Sequence, residues 1–438
     1  MRSRIGLTAL LAVALTGCWG QQGADGGKSF ASAWPTAING TNVGGLQRQF
    51  SVELGDIGDS RSVIWGGKIF LQADTEIRVY DASGAAGCQG VPITCAPLWV
   101  TRPGAGQHSY PMVIDGRVWS TERNNHLVAF DAAGIDHCQG SPRVCDALVD
   151  VTAPTSGAYL TAGSSDRLLV LGNVPGPTVG TTTNSVLMFN GSGALGWKAD
   201  LDTSQYPSNA GGVIDGDTVY ARTGIGATGP VAAFDARGVT GCSGSPKVCA
   251  PLWTTSGPGS GPGGVNQIAA RDGRLYVSEG PFISAYDGTA SASCAGSPKV
   301  CSPVWQAIGP ANTFAVTHDH VFAAATGSMN VFPLDKVGCG GDLLACLADH
   351  TMLTFLGSST AKPMVAGNVV YVVSNNQLQA FSADGSAHCD VTTRRCSALW
   401  TGRFANVIES PMVVGDWLYV TGYVGDAGTV GLAAFRVP

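Results

Sequence analysis

Short apolar runs recur in pairs along the chain, and a tight turn that contains glycine divides each pair. The clearest copies lie at residues 111–119, 212–220, 272–277, 363–372 and 411–420. In the first of these copies, Asp115-Gly116 separates one apolar run from the next. Asp and Gly tolerate the positive φ angles that a two-residue hairpin turn requires. Each copy therefore predicts a β-hairpin of two short strands.

A third apolar run, which carries an aromatic residue near its end, follows each hairpin. These aromatic residues recur at intervals of 45 to 59 residues, at Tyr80, Phe130, Phe189, Phe234, Tyr286, Phe332, Phe381 and Phe435. After six of them comes a loop with two cysteines, and a fourth run, often Leu-Trp, follows most of these loops. A long repeat with several strands in each copy is typical of β-propeller blades.

The last repeat is incomplete, because the printed sequence ends at Pro438 just after its third strand. Residues 49–54, which precede the first repeat, alternate between polar and apolar side chains as a strand does. We predict that this strand completes the last blade and so removes an open sheet edge. The predicted fold is all-β: an eight-bladed β-propeller of four-stranded antiparallel blades over residues 45–438, closed by an N-terminal strand in the last blade.

The repeat resembles that of the PQQ-type, or quinoprotein alcohol dehydrogenase-like, β-propellers. The resemblance rests on Pro-Met-Val before a glycine turn, on Ala-Phe-Asp-Ala in the third strand and on the closing Leu-Trp, and it covers roughly residues 45–438. It implies eight blades and a central channel that holds the quinone PQQ in the enzymes of the family. This chain departs from the pattern where a cysteine loop replaces the short turn between Asp and Trp.

Twelve of the 13 cysteines form six pairs with the spacing C-x6-C. Outside the cytoplasm such pairs indicate disulfides, whereas structural zinc prefers closer pairs and four ligands. Their role is either to staple the blades or to stiffen a rim of loops for binding. The predicted disulfide cysteines are Cys88 and Cys95, Cys138 and Cys145, Cys242 and Cys249, Cys294 and Cys301, Cys339 and Cys346, and Cys389 and Cys396.

The N-terminus has the features of an export signal. Arg2 and Arg4 precede an apolar run over residues 5–15 that is too short to span a membrane. Leu-Thr-Gly-Cys at residues 15–18 resembles the lipobox of bacterial lipoproteins. The resemblance implies a signal peptide over 1–17 and acylation, including palmitate, at Cys18. We expect residues 18–44 to be a flexible tether, and the protein to face outside the cytoplasm in a bacterial envelope, anchored to a lipid membrane.

Charge and motifs exclude several functions. The net charge of −6 and the absence of basic runs argue against nucleic acid as a partner. The sequence contains no adjacent cysteine pair of the kind found beside PQQ in the resembled dehydrogenases, no Cys-x-x-Cys-His and no phosphate-binding loop. We therefore expect no cofactor, and PQQ lacks the support of a vicinal cysteine pair.

Two further features have a structural and a functional interpretation. His318 and His320 are weak candidates for a metal site, but they align with the hairpin turn of other repeats, and a polar turn is the preferred interpretation. The tryptophans that follow the cysteine loops could stack on a ligand, but their recurrence favours packing between blades. They are Trp99, Trp253, Trp305 and Trp400.

Two functions from different classes remain. The favoured one is a non-catalytic, membrane-tethered module that binds or scaffolds a protein or an envelope polymer such as a glycan, for which Trp34, Trp65 and Trp417 are candidate contacts. Its layout is similar to that of the propeller lipoproteins of the outer-membrane β-barrel assembly machine, in architecture only. The alternative is a PQQ- or metal-dependent oxidoreductase that uses the central channel. No catalytic residue is indicated for either.

Overall fold

A computed structural model provides the coordinates of the chain. The predicted signal peptide, 1–17, lies outside the described residues. The described ranges are 18–55, 61–106, 109–175, 182–201, 211–222, 230–256, 265–279, 282–309, 313–335, 339–340, 345–355, 361–404, 407, 409–424 and 429–438.

Eight sheets stand around a common axis, so the predicted eight-bladed all-β propeller is confirmed. Each blade has four antiparallel strands, here named first, second, third and outer in their order across the sheet. The first strands contact one another from blade to blade and form the wall of the axial channel. This arrangement follows from the repeat, because a twisted sheet with two apolar faces is buried when neighbouring blades pack on both sides.

The strands of the first four blades follow the chain. They are Ser62–Trp65, Lys68–Ala73, Glu76–Asp81 and Trp99–Thr101 in blade 1; Met112–Ile114, Arg117–Thr121, His126–Asp131 and Val149–Thr152 in blade 2; Ser156–Ser164, Arg167–Pro175, Thr182–Asn190 and Leu195–Leu201 in blade 3; and Gly212–Asp215, Thr218–Arg222, Val231–Asp235 and Trp253–Thr255 in blade 4.

The last four blades continue the order until the final outer strand. They are Val265–Arg271, Arg274–Glu279, Phe282–Asp287 and Trp305–Ile308 in blade 5; Thr313–Val316, His320–Ala325, Ser328–Pro333 and His350–Leu353 in blade 6; Met364–Ala366, Val369–Ser374, Gln377–Ser382 and Trp400–Arg403 in blade 7; and Met412–Val414, Trp417–Tyr423, Val430–Arg436 and Gln47–Gly55 in blade 8.

The two ends of the propeller meet in blade 8, as the alternating pattern at 49–54 predicted. The strand Gln47–Gly55 pairs antiparallel with Val430–Arg436, from Gln47 opposite Arg436 to Gly55 opposite Val430. One short 3-10 helix, Val43–Gly45, leads into this strand. Among the described residues, no helix has the length and apolar character to cross a membrane.

All six predicted disulfides are confirmed, and each closes a small hairpin, here called a clasp, between the third and outer strands. A clasp does not pair with its own blade. It pairs in parallel with the outer strand of the preceding blade, as Arg143–Cys145 does with Trp99–Thr101. The clasp strands are Cys88–Gln89 and Thr94–Cys95, Cys138–Gln139 and Arg143–Cys145, Cys242–Ser243 and Val248–Cys249, Cys294–Ala295 and Lys299–Cys301, Cys339–Gly340 and Ala345–Cys346, and Arg395–Cys396 bridged to Cys389.

The clasps therefore enlarge six of the blades and join neighbours around the perimeter. Four blades have sheets of six strands in which the last two come from the next blade's clasp, and blade 8 is extended in the same way by the clasp of blade 1. Blade 6 gains one strand, Arg395–Cys396. The stapling interpretation of the disulfides is thus supported by geometry, and the staple runs between blades rather than within one.

The recurrent tryptophans pack between blades, as predicted. Trp99, Trp253 and Trp305 are buried, and Trp400 is half-buried. A methyl group at Gly134 of blade 2 would lie 2.3 Å from the Trp99 ring of blade 1. Gly134 also has a positive φ of 72°, so glycine is required there both by the turn and by the ring that covers it.

Candidate functional site

The N-terminal segment 19–38, here called the strap, lies across the channel wall instead of hanging free. It forms hydrogen bonds with a first strand, or the residue after it, in every one of the eight blades in turn. Its partners are Ile64, Val113, Gly163, Ile214, Ala270, Val316, Val365 and Gly415. The prediction of a flexible tether is therefore wrong for these residues, because their backbone groups pair with the ring.

Main-chain groups rather than side chains make most of these contacts. The N–H groups of Ile214, Ala270 and Val316 donate to strap carbonyls over 2.7 to 2.8 Å. Trp19 exchanges both of its backbone hydrogen bonds with Ile64, at 2.7 and 2.8 Å. Backbone pairing of this kind needs no distinctive side chains, which is why a segment rich in Gly and Ala can line the channel wall.

Two consecutive glycines allow the strap to approach the wall closely. A methyl group at Gly27 would lie 1.9 Å from the carbonyl oxygen of Ala270, and one at Gly26 would lie 2.8 Å from that of Gly163. The turn that follows is held by Asp25, whose carboxylate accepts hydrogen bonds from the N–H and the hydroxyl of Ser29. At these two glycines the strap thus lies in close contact with the first strands of blades 3 and 5.

A small space remains beneath the strap. Its volume is about 50 Å³, and its walls include Trp19 and Phe30 of the strap and Tyr110, Lys362 and Glu409 of the ring. Ligand pockets usually measure roughly 300–1,000 Å³, whereas a space of this size holds a few water molecules. This space therefore contains polar side chains but is too small for an organic cofactor.

Two buried lysines, one in the strap and one in the ring, lie close enough for their charges to interact. Lys28 of the strap is buried, and its ammonium donates to the hydroxyl of Thr161 over 2.8 Å. Burial, reinforced by the positive charge of Lys362, lowers the pKa of Lys28 to about 7. Burial also lowers the pKa of Lys362, against the opposing attraction of Glu409. The Lys362 ammonium lies 5.6 Å from the centre of the Phe30 ring.

A carboxyl group and a guanidinium complete the cluster. Burial raises the pKa of Glu409 to about 7, although the hydrogen bond from Tyr110 and the charge of Arg61 favour its ionised form. The Arg61 guanidinium lies over the rings of Tyr110 and Tyr159, at 4.8 and 5.8 Å. These side chains interact through charge, hydrogen bonds and cation–π contacts across blades 1, 2, 3, 7 and 8. Through Lys362 and Phe30 they also connect the ring to the strap.

The space beneath the strap does not fit PQQ. The strap closes one end, and the space below it is much smaller than a quinone site requires.

A larger groove lies outside the strap, on the face of the ring that carries the turns between first and second strands, here called the turn face. Its volume is about 460 Å³, and strap residues 31–35 form one wall. Trp34 is 44 % exposed at its edge. Arg271, Asn368 and Asp384 line the opposite side.

The two candidate metal ligands lie in this groove. His318 and His320 occupy the turn face of blade 6, and their Nδ1 atoms lie 3.7 and 3.2 Å from the Asp319 carboxylate between them. Partial burial opposes ionisation of Asp319, but hydrogen bonds from Thr317 and His320 outweigh it and lower the pKa of the carboxyl. In the described ranges, no group of three or more His, Cys, Asp or Glu residues is placed to hold a metal ion. The arrangement is a polar turn.

Cys18 lies at the turn face beside blade 1. Its neighbour Trp19 is 2 % exposed and pairs with Ile64. Partial burial raises the pKa of the Cys18 thiol, although a hydrogen bond from the Gly66 backbone opposes this. The predicted lipidation site thus sits directly on the ring.

Sequence reasoning missed the channel cluster and the strap. Tyr110, Lys362 and Ser410 each precede the repeated Pro-Met-Val motif, so they occupy one position of an otherwise regular repeat. The variation at this position was the signal that could have found the cluster. Residues that repeat in every blade maintain the fold, whereas residues that differ from blade to blade at this position line the channel. No comparable signal marks Lys28 in the strap.

Comparison with known proteins identifies the fold and no family. Neither a family model nor a curated protein matches the chain. BamB from Moraxella catarrhalis is similar in structure, with 13% identity, a TM-score of 0.55, and coverage of 89% of this chain and 97% of that one. The computationally designed Ika8 protein has 12% identity, a TM-score of 0.57, and coverage of 88% and 99%. At such identities both likenesses show the fold alone.

Proposed function

We propose that this chain is a lipid-anchored binding or scaffolding propeller of a bacterial envelope, with a protein as its partner. Six disulfides are consistent with an oxidising compartment outside the cytoplasm. The signal-like N-terminus and the lipobox-like residues 15–18 support export and acylation of Cys18. In this proposal the PQQ-type repeat supplies the propeller fold, and the protein acts without PQQ.

The occupation of the axis by the strap is the observation that carries this proposal. Propellers commonly bind small ligands where the blades converge, and here residues of the protein itself fill that place. The perimeter of the ring remains available for recognition of a partner. A rigid ring with an anchored edge is suited to holding a partner near a membrane.

The anchor is tested by labelling. A chain expressed in a bacterial host with an alkyne analogue of palmitate should incorporate the label and fractionate with membranes. The Cys18→Ser variant should lose the label and become soluble after export. Equal labelling of both chains would contradict acylation at Cys18.

The binding role is tested separately. Crosslinking in detergent-solubilised envelope, followed by mass spectrometry, should recover a stoichiometric protein partner. Titration of the purified chain with PQQ and calcium should show no saturable binding. Tight, stoichiometric binding of PQQ would overturn the non-catalytic proposal and favour the oxidoreductase.

A glycan is a second candidate partner because of the groove beside Trp34. An exposed indole at the edge of a space of about 460 Å³ that also contains Asn and Asp side chains suits stacking and hydrogen bonding to a sugar. Trp34→Ala should then weaken retention on immobilised envelope polysaccharide. Unchanged retention would remove this candidate.

A further inference from the structure

The clasps cover the outer strands of six blades and leave two without such a neighbour. Within the described ranges, the sheet of blade 2 ends at Val149–Thr152 and that of blade 7 at Trp400–Arg403. The cause is local. Blade 3 has a tight turn at 191–194 in place of a clasp, and the third and outer strands of blade 8 come from opposite parts of the chain, so no loop between them carries a clasp.

The two uncovered edges differ in their surroundings. At blade 7, the segment that leads into the closing strand passes nearby, and a methyl group at Gly44 would lie 3.7 Å from the carbonyl oxygen of Leu399. At blade 2, Asp150 and Thr152 are exposed, while Val149 and Val151 are only half-buried. In the covered outer strand of blade 1, by contrast, Trp99 and Thr101, which occupy the positions equivalent to Val149 and Val151, are buried. The blade 2 edge is therefore the more open of the two.

The seated clasps show how a strand would add to this edge. In blade 1, Trp99, Val100 and Thr101 face Arg143, Val144 and Cys145 in parallel register. The N–H of Arg102 then donates to the carbonyl of Cys145 over 2.8 Å. Thr152 lies three residues after Val149 in blade 2, as Arg102 lies three residues after Trp99 in blade 1. The N–H of Thr152 therefore occupies the equivalent position on the uncovered edge.

Three of the six clasp strands also share a side-chain pattern. A basic residue comes first, then valine, then a buried cysteine, in Arg143–Cys145, Lys247–Cys249 and Lys299–Cys301. The basic side chain donates to the carbonyl of a turn residue that packs on the covered outer strand. Arg143 reaches Gly134 over 2.8 Å, Lys247 reaches Gly238 over 2.9 Å, and Lys299 reaches Ala290 over 3.2 Å.

Blade 3 retains the acceptor without the clasp. Gly193 has the place of Gly134, with a positive φ of 84°, and a methyl group there would lie 2.6 Å from Val149. A strand seated on blade 2 would thus find a glycine carbonyl where the clasps direct their basic side chain. The exposed carboxylate of Asp150, which also pairs with the His126 imidazole over 2.5 Å, adds a second attraction for a basic residue.

We propose that an extended segment of a partner protein adds in parallel to the outer edge of Val149–Thr152, with a basic, then a β-branched, then a small apolar residue. Such strand addition gives affinity through main-chain hydrogen bonds and specificity through alternate side chains. The inference rests on the proposed binding function and names its surface and partner class. A second copy of this chain is the less suited occupant, because two-fold pairing of this short strand would bring two Asp150 carboxylates close together.

A clasp of the protein itself is the probe. The disulfide-closed peptide of residues 293–302, labelled with a fluorophore, should bind the full chain and slow hydrogen exchange at Val149–Thr152. Thr152→Pro removes the outward N–H on an edge where proline is tolerated, and should weaken binding at least tenfold. Arg403→Pro, at the matching position of blade 7, should leave it unchanged.

A second variant guards against misfolding of the first. Replacing the blade 3 turn, 191–194, with the clasp of blade 4 should cover the edge from within and abolish peptide binding while thermal unfolding stays cooperative. Peptide binding that persists in both variants, or a chain that dimerises through Val149–Thr152, would overturn the inference. If the grafted chain still captures its envelope partner, the proposed function stands and this surface is the wrong one.

Discussion

At the scale of single residues, the burial of Lys28 shows how closely the strap packs against the ring. Its pKa lies at about 7 because burial and the nearby Lys362 disfavour its charge. Below that pH the folded protein holds a buried ammonium, which lowers its stability. Since the lysine of the unfolded chain titrates near 10.5, the penalty decreases as the pH rises from about 7 toward that value.

We therefore expect Lys28→Met to stabilise the protein at pH 6 by about 2 kcal/mol, with a gain that disappears by pH 10. Thr161 keeps two other hydrogen bonds, to the N–H and carbonyl of Gly212, so the substitution leaves no orphaned hydroxyl. Denaturant unfolding at pH 6, 8 and 10 measures the gain. A gain that does not change with pH would show that packing rather than charge is responsible.

Asp131 stabilises a loop through its carboxylate, and Asp81, Asp235 and Asp287 do the same in other blades. Its carboxylate accepts hydrogen bonds from the N–H groups of Ala133, Ile135 and Asp136 at 2.8 to 3.0 Å, and so holds the loop before the clasp. Partial burial alone would raise the pKa of Asp131, but these bonds outweigh it and lower the pKa. The stabilisation is present above the pKa of the unfolded chain and is lost as the pH falls through the lower folded value.

Asp131→Ala should consequently destabilise the protein at pH 7 by about 1–2 kcal/mol, toward the lower end because the group is partly exposed. Near pH 2 the variant and the parent should converge. Asp136→Ala is the control, because its exposed side chain is not used in the turn. Equal losses for both variants at pH 7 would refute the capping role.

The role of a residue could be predicted from the sequence where the residue recurs in several blades, and could not where it occurs once. The six cysteine pairs and the packing of Trp99 follow from spacing and recurrence. Lys362 and Glu409 do not, because their roles depend on which side chains the ring brings together across distant blades. Their separation in sequence gives no local pattern to interpret.

At the scale of elements, the clasp acts as a staple between blades. Removing the blade 2 clasp with Cys138→Ala and Cys145→Ala should cost about 2.5 kcal/mol, the chain-entropy value for a loop of this length. Because the clasp pairs with Trp99–Thr101 of blade 1, that strand should also exchange its amide hydrogens faster.

Hydrogen exchange with mass spectrometry distinguishes this effect from global loss of stability. Faster exchange confined to blade 1's outer strand and the clasp itself supports the staple. Gln139→Ala, an exposed change in the same clasp, should alter neither quantity. Uniform acceleration in every blade would argue that the disulfide acts only on the unfolded chain.

The strap is the element whose fit depends on glycine. Gly27→Ala places a methyl group 1.9 Å from a backbone oxygen of blade 5, so strap and ring must separate there. We expect a loss of roughly 2 kcal/mol or more and faster exchange at Ala270, whose N–H donates to Gly27. Gly44→Ala, where the nearest atom is 3.7 Å away, is the matched control and should be neutral. Equal stability of the two variants would contradict the close fit.

The strap was misinterpreted for a physical reason. A run of Gly, Ala and Ser has few apolar side chains to bury, and composition then favours a tether. Its order comes from backbone hydrogen bonds with seven blades and from the Gln21 side chain on blade 3, which no local pattern encodes. The same limit applies to the clasps, because C-x6-C predicts a hairpin and its disulfide but not the neighbouring strand on which the hairpin rests.

At the scale of the whole molecule, three devices join the blades into one ring. The closing strand Gln47–Gly55 connects the last blade to the first part of the chain. The clasps connect neighbours on the perimeter, and the strap connects all eight at the axis. The number of blades and the closure were predictable, since periodicity and the alternating strand at 49–54 are properties of the sequence itself.

The position of the strap also determines how an acylated chain would face a membrane. Consecutive Cα atoms are about 3.8 Å apart, so a lipid on Cys18 would leave the ring one residue from the seated Trp19. We therefore expect the turn face to lie against the bilayer, with Trp34, 44 % exposed there, close to the headgroups. A chain with the expected tether would show no such preference.

Quenching by lipids that carry a spin label near the headgroup measures this orientation. In vesicles, the acylated chain should lose more fluorescence than its Trp34→Phe variant, because the exposed indole on the turn face contributes the accessible signal. The Cys18→Ser chain, mixed with the same vesicles, should be quenched to the same extent with and without the Trp34→Phe substitution. If Trp34→Phe leaves the quenching of the acylated chain unchanged, the turn face points away from the membrane, and the strap closes the channel without orienting the ring.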